Sequence, residues 1–205
     1  MLENRQFASI VEWAQEETGL TRALLTCLYD SEREICYRAA QALGMVCKVE
    51  AARNMPMARR IIRHLFWTMN DESGSICWYA PEAIGEILVR IPELSAEHTM
   101  LLSSFIREEP FERGVHRALA RIASEFPEHA RDAADALAES LDDPDPLIRG
   151  YAIITLGHLG ATIPLEKTEQ MRRDQSSFEL YNSETGQFER TSVAQAANRI
   201  LRHEL

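Results

Sequence analysis

Residues 141–157 read Leu141-Asp142-Asp143-Pro144-Asp145-Pro146-Leu147-Ile148-Arg149-Gly150-Tyr151-Ala152-Ile153-Ile154-Thr155-Leu156-Gly157, and this stretch decides the fold. An acidic turn leads into a helical pattern that carries a small residue, Ala152, and one turn later Leu156-Gly157. A small residue lets two paired helices approach closely, while Leu at spacing four fills the seam between them.

The same arrangement recurs three times upstream. Leu24-Leu25-Thr26-Cys27-Leu28-Tyr29-Asp30 leads to Ala39 and Leu43-Gly44. Ile61-Ile62 leads through Asn70-Asp71-Glu72-Ser73-Gly74 to Ala80 and Ile84-Gly85. A looser copy starts near Leu101-Leu102 and closes with Ala118 and Ile122-Ala123. The aligned alanines Ala39, Ala80, Ala118 and Ala152 are spaced by 41, 38 and 34 residues. Such periods fit stacked helix pairs and are too long for leucine-rich repeats. One pair cannot bury its apolar face alone, so neighbouring copies stack around a continuous core.

Leu141 to Gly157 resembles a HEAT repeat of the phycobilisome-lyase-like kind, whose pattern is Asp-x-x-Pro/Asp-x-Val-Arg-x-x-Ala-x-x-x-Leu-Gly. The resemblance covers residues 20–160. Its arginine is present as Arg149 and is replaced by Cys36, Cys77 and Val115 in the other copies. The resemblance implies an all-α superhelix of four to five helix pairs. It is nearly silent on function, because one fold serves many roles.

Composition agrees with a folded, non-membrane chain. The 205 residues are 45% hydrophobic and 26% charged, as in globular proteins. No apolar run approaches the ~20 residues that cross a bilayer, and the first residues lack the profile of a secretory signal. A net charge of -10 argues against binding nucleic acid, which needs a basic surface. Four cysteines without compact spacing point to core thiols in a reducing cytoplasm. Equivalent positions Cys36 and Cys77 sit on neighbouring helices, about 8–10 Å apart and too far for a disulfide.

The whole chain, 1–205, reads as one domain with caps at both ends. Residues 1–20 hold an amphipathic capping helix with Phe7, Ile10, Val11 and Ala14 on one side, and Thr21 is the expected N-cap of the next helix. Repeats fill 21–164. In 165–205 the period changes: Phe178-Glu179-Leu180-Tyr181 and Gln187-Phe188-Glu189-Arg190 alternate around the turn Asn182–Gly186, a β-hairpin signal. Thr191 or Ser192 then caps a last helix.

In HEAT pairs the second helix lines the concave face. On the helix near 75–91, Ile76, Ala80, Ala83, Ile84, Ile87, Leu88 and Ile91 share an apolar side, and Trp78, Glu82 and Glu86 another. The aligned positions are Tyr37, Gln41 and Met45 in the first copy and His116, Ala120 and Ser124 in the third. Gly150, Ile154 and His158 follow in the fourth. The expected surface is a solvent-facing strip of Tyr37, Trp78 and His116 flanked by Gln41, Glu82 and Glu86. Pro81 lies inside the expected helix and forces it to start near Ala80 or to kink. The preceding turn is longer and more polar than its counterparts, and Asp71 or Ser73 can cap the helix. The stretch Asn70 to Glu86 is similar to a bacterial HEAT subgroup.

These residues suggest a cytoplasmic, non-catalytic scaffold that binds a basic or amide-rich protein segment through Tyr37, Gln41, Asn70, Asp71, Glu72, Trp78, Glu82, Glu86 and His116. No cofactor motif is present. The rival reading is an enzyme or lyase-like protein that holds a metal or small molecule on Asp71, Glu72, Glu82, Glu86 and His116. The His-Glu pairs of HEAT-fold hydroxylases are absent except for His203-Glu204 at the C-terminal end. Arg53, Arg59, Arg60, Arg63 and His64 make a local basic patch, read as a solvated face or a docking site for an acidic partner.

Overall fold

The computed structural model describes residues 1–16, 19–70 and 76–201. They are mostly helical, with a small antiparallel hairpin near the C-terminus. The helices are α1 (Phe7–Glu16), α2 (Leu20–Cys27), α3 (Arg33–Met69), α4 (Ala80–Leu88), α5 (Pro92–Ser103) and α6 (Glu112–Glu125). They continue with α7 (Ala134–Glu139), α8 (Pro146–His158), α9 (Leu165–Arg173) and α10 (Val193–Leu201). Strands β1 (Ser177–Asn182) and β2 (Gln187–Ser192) lie between α9 and α10. The chain divides into two compact units, one of Met1–His98 with Ser183–Gly186, the other of Thr99–Asn182 with Gln187–Leu205.

In the first unit α3 is two helices joined at a kink. Asn54 breaks it at φ -153 and ψ 78. Its Oδ1 then accepts the Met57 backbone N–H at 3.3 Å, capping the second half. Pro56 sits in that half's first turn, where a proline is tolerated. Residues 33–53 thus complete the first repeat and 55–69 open the second. Helix α4 completes the second, and Pro81 falls in its first turn, which is why this helix begins at Ala80 instead of kinking. Helix α2 starts at Leu20 behind Gly19, so Thr21 lies inside the helix and is not its cap.

The second unit contains the repeat that announced the fold. Asp145 caps α8 by accepting the Leu147 N–H at 2.9 Å, and Asp143 accepts the Asp145 N–H at 2.8 Å. Arg149 donates to the carbonyls of Asp143 and Pro144 at 2.7 and 3.0 Å and pairs with Asp174 at 2.7 Å. The acidic turn and the arginine of the motif therefore tie one loop to the start of its own helix. The hairpin pairs Tyr181 with Phe188, and Gly186 takes φ 68 in its turn, in the left-handed region open to glycine. Ser192 caps α10 through a reciprocal pair: its Oγ accepts the Gln195 N–H, and Gln195 Oε1 accepts the Ser192 N–H, both at 3.2 Å.

All four aligned alanines are buried. At Gly44 on α3 a side-chain carbon would collide with the backbone carbonyl of Glu86 on α4. Substituting alanine would gain about 1 kcal/mol of helix propensity. The obstacle is backbone, so the helices must separate, and overpacking costs about 1–3 kcal/mol. Gly44→Ala is expected to lower stability by up to about 2 kcal/mol net, read as a lower midpoint in thermal or urea unfolding; a midpoint raised by the full propensity gain would contradict the close packing.

Candidate functional site

The expected solvent-facing strip is not what the helices present. Tyr37 is 5% exposed, Glu82 7%, and Gln41, Glu86 and His116 are likewise buried, whereas Trp78 is 66% exposed. The correction has a physical cause. The aligned residues of the first copy pack over those of the second instead of standing beside them in solvent. Tyr37 donates its hydroxyl to Glu82 Oε1 at 3.0 Å, and α4 is buried along its whole length. Glu86 pairs with the guanidinium of Arg90, which also donates to the Glu86 carbonyl at 2.8 Å.

Gln41 is engaged too. Its Nε2 donates to the carbonyl of Ser183 at 2.9 Å. Arg5 donates to the same carbonyl at 2.7 Å and to that of Glu184, and Arg38 donates to the carbonyl of Gly186 at 3.0 Å. The turn of the hairpin is therefore held through its backbone by two guanidiniums and an amide.

His116 belongs to the second unit. Its Nδ1–H donates to the Glu112 carbonyl at 2.7 Å, and Nε2 lies 2.9 Å from Ser140 Oγ. The same hydroxyl is 2.8 Å from the Ala136 carbonyl, so with a neutral ring one proton serves two acceptors. Burial nevertheless outweighs this and pushes the imidazole below its ordinary value of 6.5. Asn70 ends α3 and donates its amide to the Phe66 carbonyl at 3.0 Å. Asp71, Glu72 and Ser73 lie outside the described residues.

Of the expected strip, Trp78 is what remains at the surface. Trp78 stands in the turn before α4, and the neighbouring Tyr79 ring meets Tyr37 edge-on at 5.7 Å. On the other side Cys77 is buried, with its thiol within hydrogen-bonding reach of the Tyr29 hydroxyl. Tyr29 is itself 53% exposed and ends the first repeat's opening helix. Tyr29 thus meets the thiol of the residue that precedes Trp78 in the chain, and Asp30 and Glu32 lie exposed on the turn after Tyr29. Reading along the second helices missed Tyr29. The signal that finds it is the repeat alignment of the turns, in which Tyr29-Asp30 matches Asn70-Asp71.

The four cysteines are free, and burial pushes Cys36 and Cys77 up to about 11, so both stay protonated at neutral pH. Among the described residues no three His, Cys, Asp or Glu side chains converge in a way that would hold a metal. No described helix is long and apolar enough to cross a membrane.

No family model matches the chain. It is similar to an uncharacterized protein of Archaeoglobus fulgidus, 29% identical over 165 residues that cover 78% of this chain and 84% of that one. Among solved structures it resembles an engineered protein, with TM-score 0.53 and 17% identity over 96% of this chain; the chain spans about half of that protein's length, 52%. It also resembles a computationally designed armadillo repeat protein for modular peptide recognition (TM-score 0.51, 17% identity). A third is a designed armadillo repeat protein in complex with the peptide (KR)4 (TM-score 0.51, 18% identity). In both armadillo cases 96% of this chain and 90% of the other are covered. The class is thereby set: this is a helical-repeat protein.

Two outcomes follow from the buried polar groups. Tyr37→Phe removes a donor from a buried carboxylate and is expected to cost about 1–3 kcal/mol, measured by urea unfolding. His116 has a lowered value when folded, so below 6.5 the unfolded chain binds the proton first. Its contribution is complete above 6.5 and is lost as pH falls from there toward the folded value. His116→Gln should therefore lose less stability than the parent between pH 7 and pH 5, compared by unfolding at each pH.

Proposed function

We propose that the chain is a non-catalytic protein-binding scaffold of the phycobilisome-lyase-like HEAT type, one cytoplasmic domain over 1–205, that captures a basic peptide segment. Trp78 is the anchor. The observation that carries this reading is that its indole is two-thirds exposed while the polar groups beneath it are engaged within the fold. A large rigid aromatic on a fixed base loses little entropy on binding and is the commonest kind of hot spot.

In this reading Tyr29 widens the aromatic surface, and Asn70, Asp71 and Glu72, with Asp30 and Glu32, supply a rim that attracts cations. His116 is engaged within its own unit, and Tyr37, Gln41, Glu82 and Glu86 act as positioning residues. They fix the helices that carry the surface and do not touch the partner. Support comes from the fold shared with peptide-binding designs, one of which holds a Lys/Arg peptide.

The test is a titration of the purified chain with the peptide (KR)4, followed by fluorescence anisotropy. Saturable binding is expected, and Trp78→Ala should weaken it at least tenfold, about 1.4 kcal/mol, with far-UV circular dichroism unchanged because the side chain is exposed. Binding retained by Trp78→Ala would refute the site.

A further inference from the structure

A second surface in the first unit has the opposite character. The helix at residues 55–69 buries Ala58, Ile61, Ile62, Leu65, Phe66 and Met69, while Met57, Arg60, Arg63, His64 and Trp67 are exposed. The spacing from Met57 through Arg60 and His64 to Trp67 is three, four and three, so these residues line one side of the helix. Trp67 is 60% exposed, and the His64 ring stacks on it with centroids 6.0 Å apart and planes 17° apart. At the other end Arg60 Nη2 lies 3.6 Å from the Met57 sulfur.

The charge pattern is unusual for this chain. Its net charge is -10, yet residues 51–70 contain no Asp or Glu. A solvated helix face ordinarily mixes both signs at spacings of three and four. Arg59, at the edge, is neutralised by Glu97 at 2.6 Å, but among the described residues no carboxylate pairs with Arg60 or Arg63. Two arginines and an exposed tryptophan on one rigid helix are the side chains most enriched at interface hot spots.

We propose that this face docks an acidic segment of a partner protein. The guanidiniums of Arg60 and Arg63 engage its carboxylates, and an apolar side chain of the segment seats against the exposed Trp67 ring. Charge complementarity selects this occupant: the face is cationic and carries its own apolar anchors. The surrounding chain is acidic and repels a long polyphosphate that would extend past so short a patch. The surface lies on the helix that precedes the Trp78 turn and selects the opposite charge.

The probe is a fluorescein-labelled eight-residue peptide of Asp and Glu with one central Leu, titrated into the full chain by anisotropy at low and at physiological salt. Saturable binding is expected, weakening with salt. The double variant Arg60→Glu with Arg63→Glu should weaken it at least roughly tenfold, and Trp67→Ala should weaken it at unchanged salt dependence. Both variants alter exposed side chains, and unchanged circular dichroism confirms that they fold. Trp78→Ala should bind the acidic peptide normally, so loss of the (KR)4 site and loss of this one are told apart. No saturable binding, or equal binding by the charge-reversed variant, overturns the proposal. So does tighter binding of a single-stranded oligonucleotide of equal length. Sedimentation showing a self-association abolished by the charge reversal would overturn it in favour of a second copy as occupant.

Discussion

How closely the helices of adjacent repeats approach is the constraint on which the first unit rests. The Glu86 carbonyl on α4 lies where a side chain at position 44 would have to go. Only glycine leaves that space, and the buried Ala39 and Ala80 keep the rest of the contact shallow. At this separation nothing solvent-sized fits between the helices. Every polar group on the facing sides must then find its partner within the protein, because an unmet buried carboxylate is far costlier than a met one.

The buried Tyr37–Glu82 and Glu86–Arg90 contacts follow from that closeness. They read as ligand-binding chemistry in a linear sequence, since an aromatic ring beside glutamates is also what a binding face would show. In the folded chain they orient α4 on α3 and so fix the turn that displays Trp78. The same economy holds Gln41 on the hairpin turn, where its amide shares the Ser183 carbonyl with Arg5. In the second unit, Arg149 and the aspartates of its loop satisfy backbone groups at the start of α8.

Much of this was legible beforehand. The alanine register located the repeats around Ala39, Ala80, Ala118 and Ala152, because burying a small residue in each copy is a periodic demand and leaves a periodic trace. Pro81 marked the start of α4, and alternation about Asn182–Gly186 marked the hairpin, since each rests on local backbone chemistry. Thr21 shows the limit even here: its hydroxyl suits a cap, but the helix begins one residue earlier.

Exposure was not legible in the same way. Periodicity says which residues share a side of a helix, and it grouped Trp78 with Glu82 and Glu86, but Trp78 stands in the turn before α4 and is exposed while both glutamates are buried. Which sides are covered depends on the neighbouring repeat and on the turn 183–186, some 140 residues away from Gln41 and Arg38. The sequence by itself determined the helical repeats, their punctuation and the terminal hairpin, because those depend on spacings within one or two helices. Only the tertiary structure decided that the glutamates turn inward while Trp78, Tyr29 and Trp67 stay in water, because burial is a property of what packs on top.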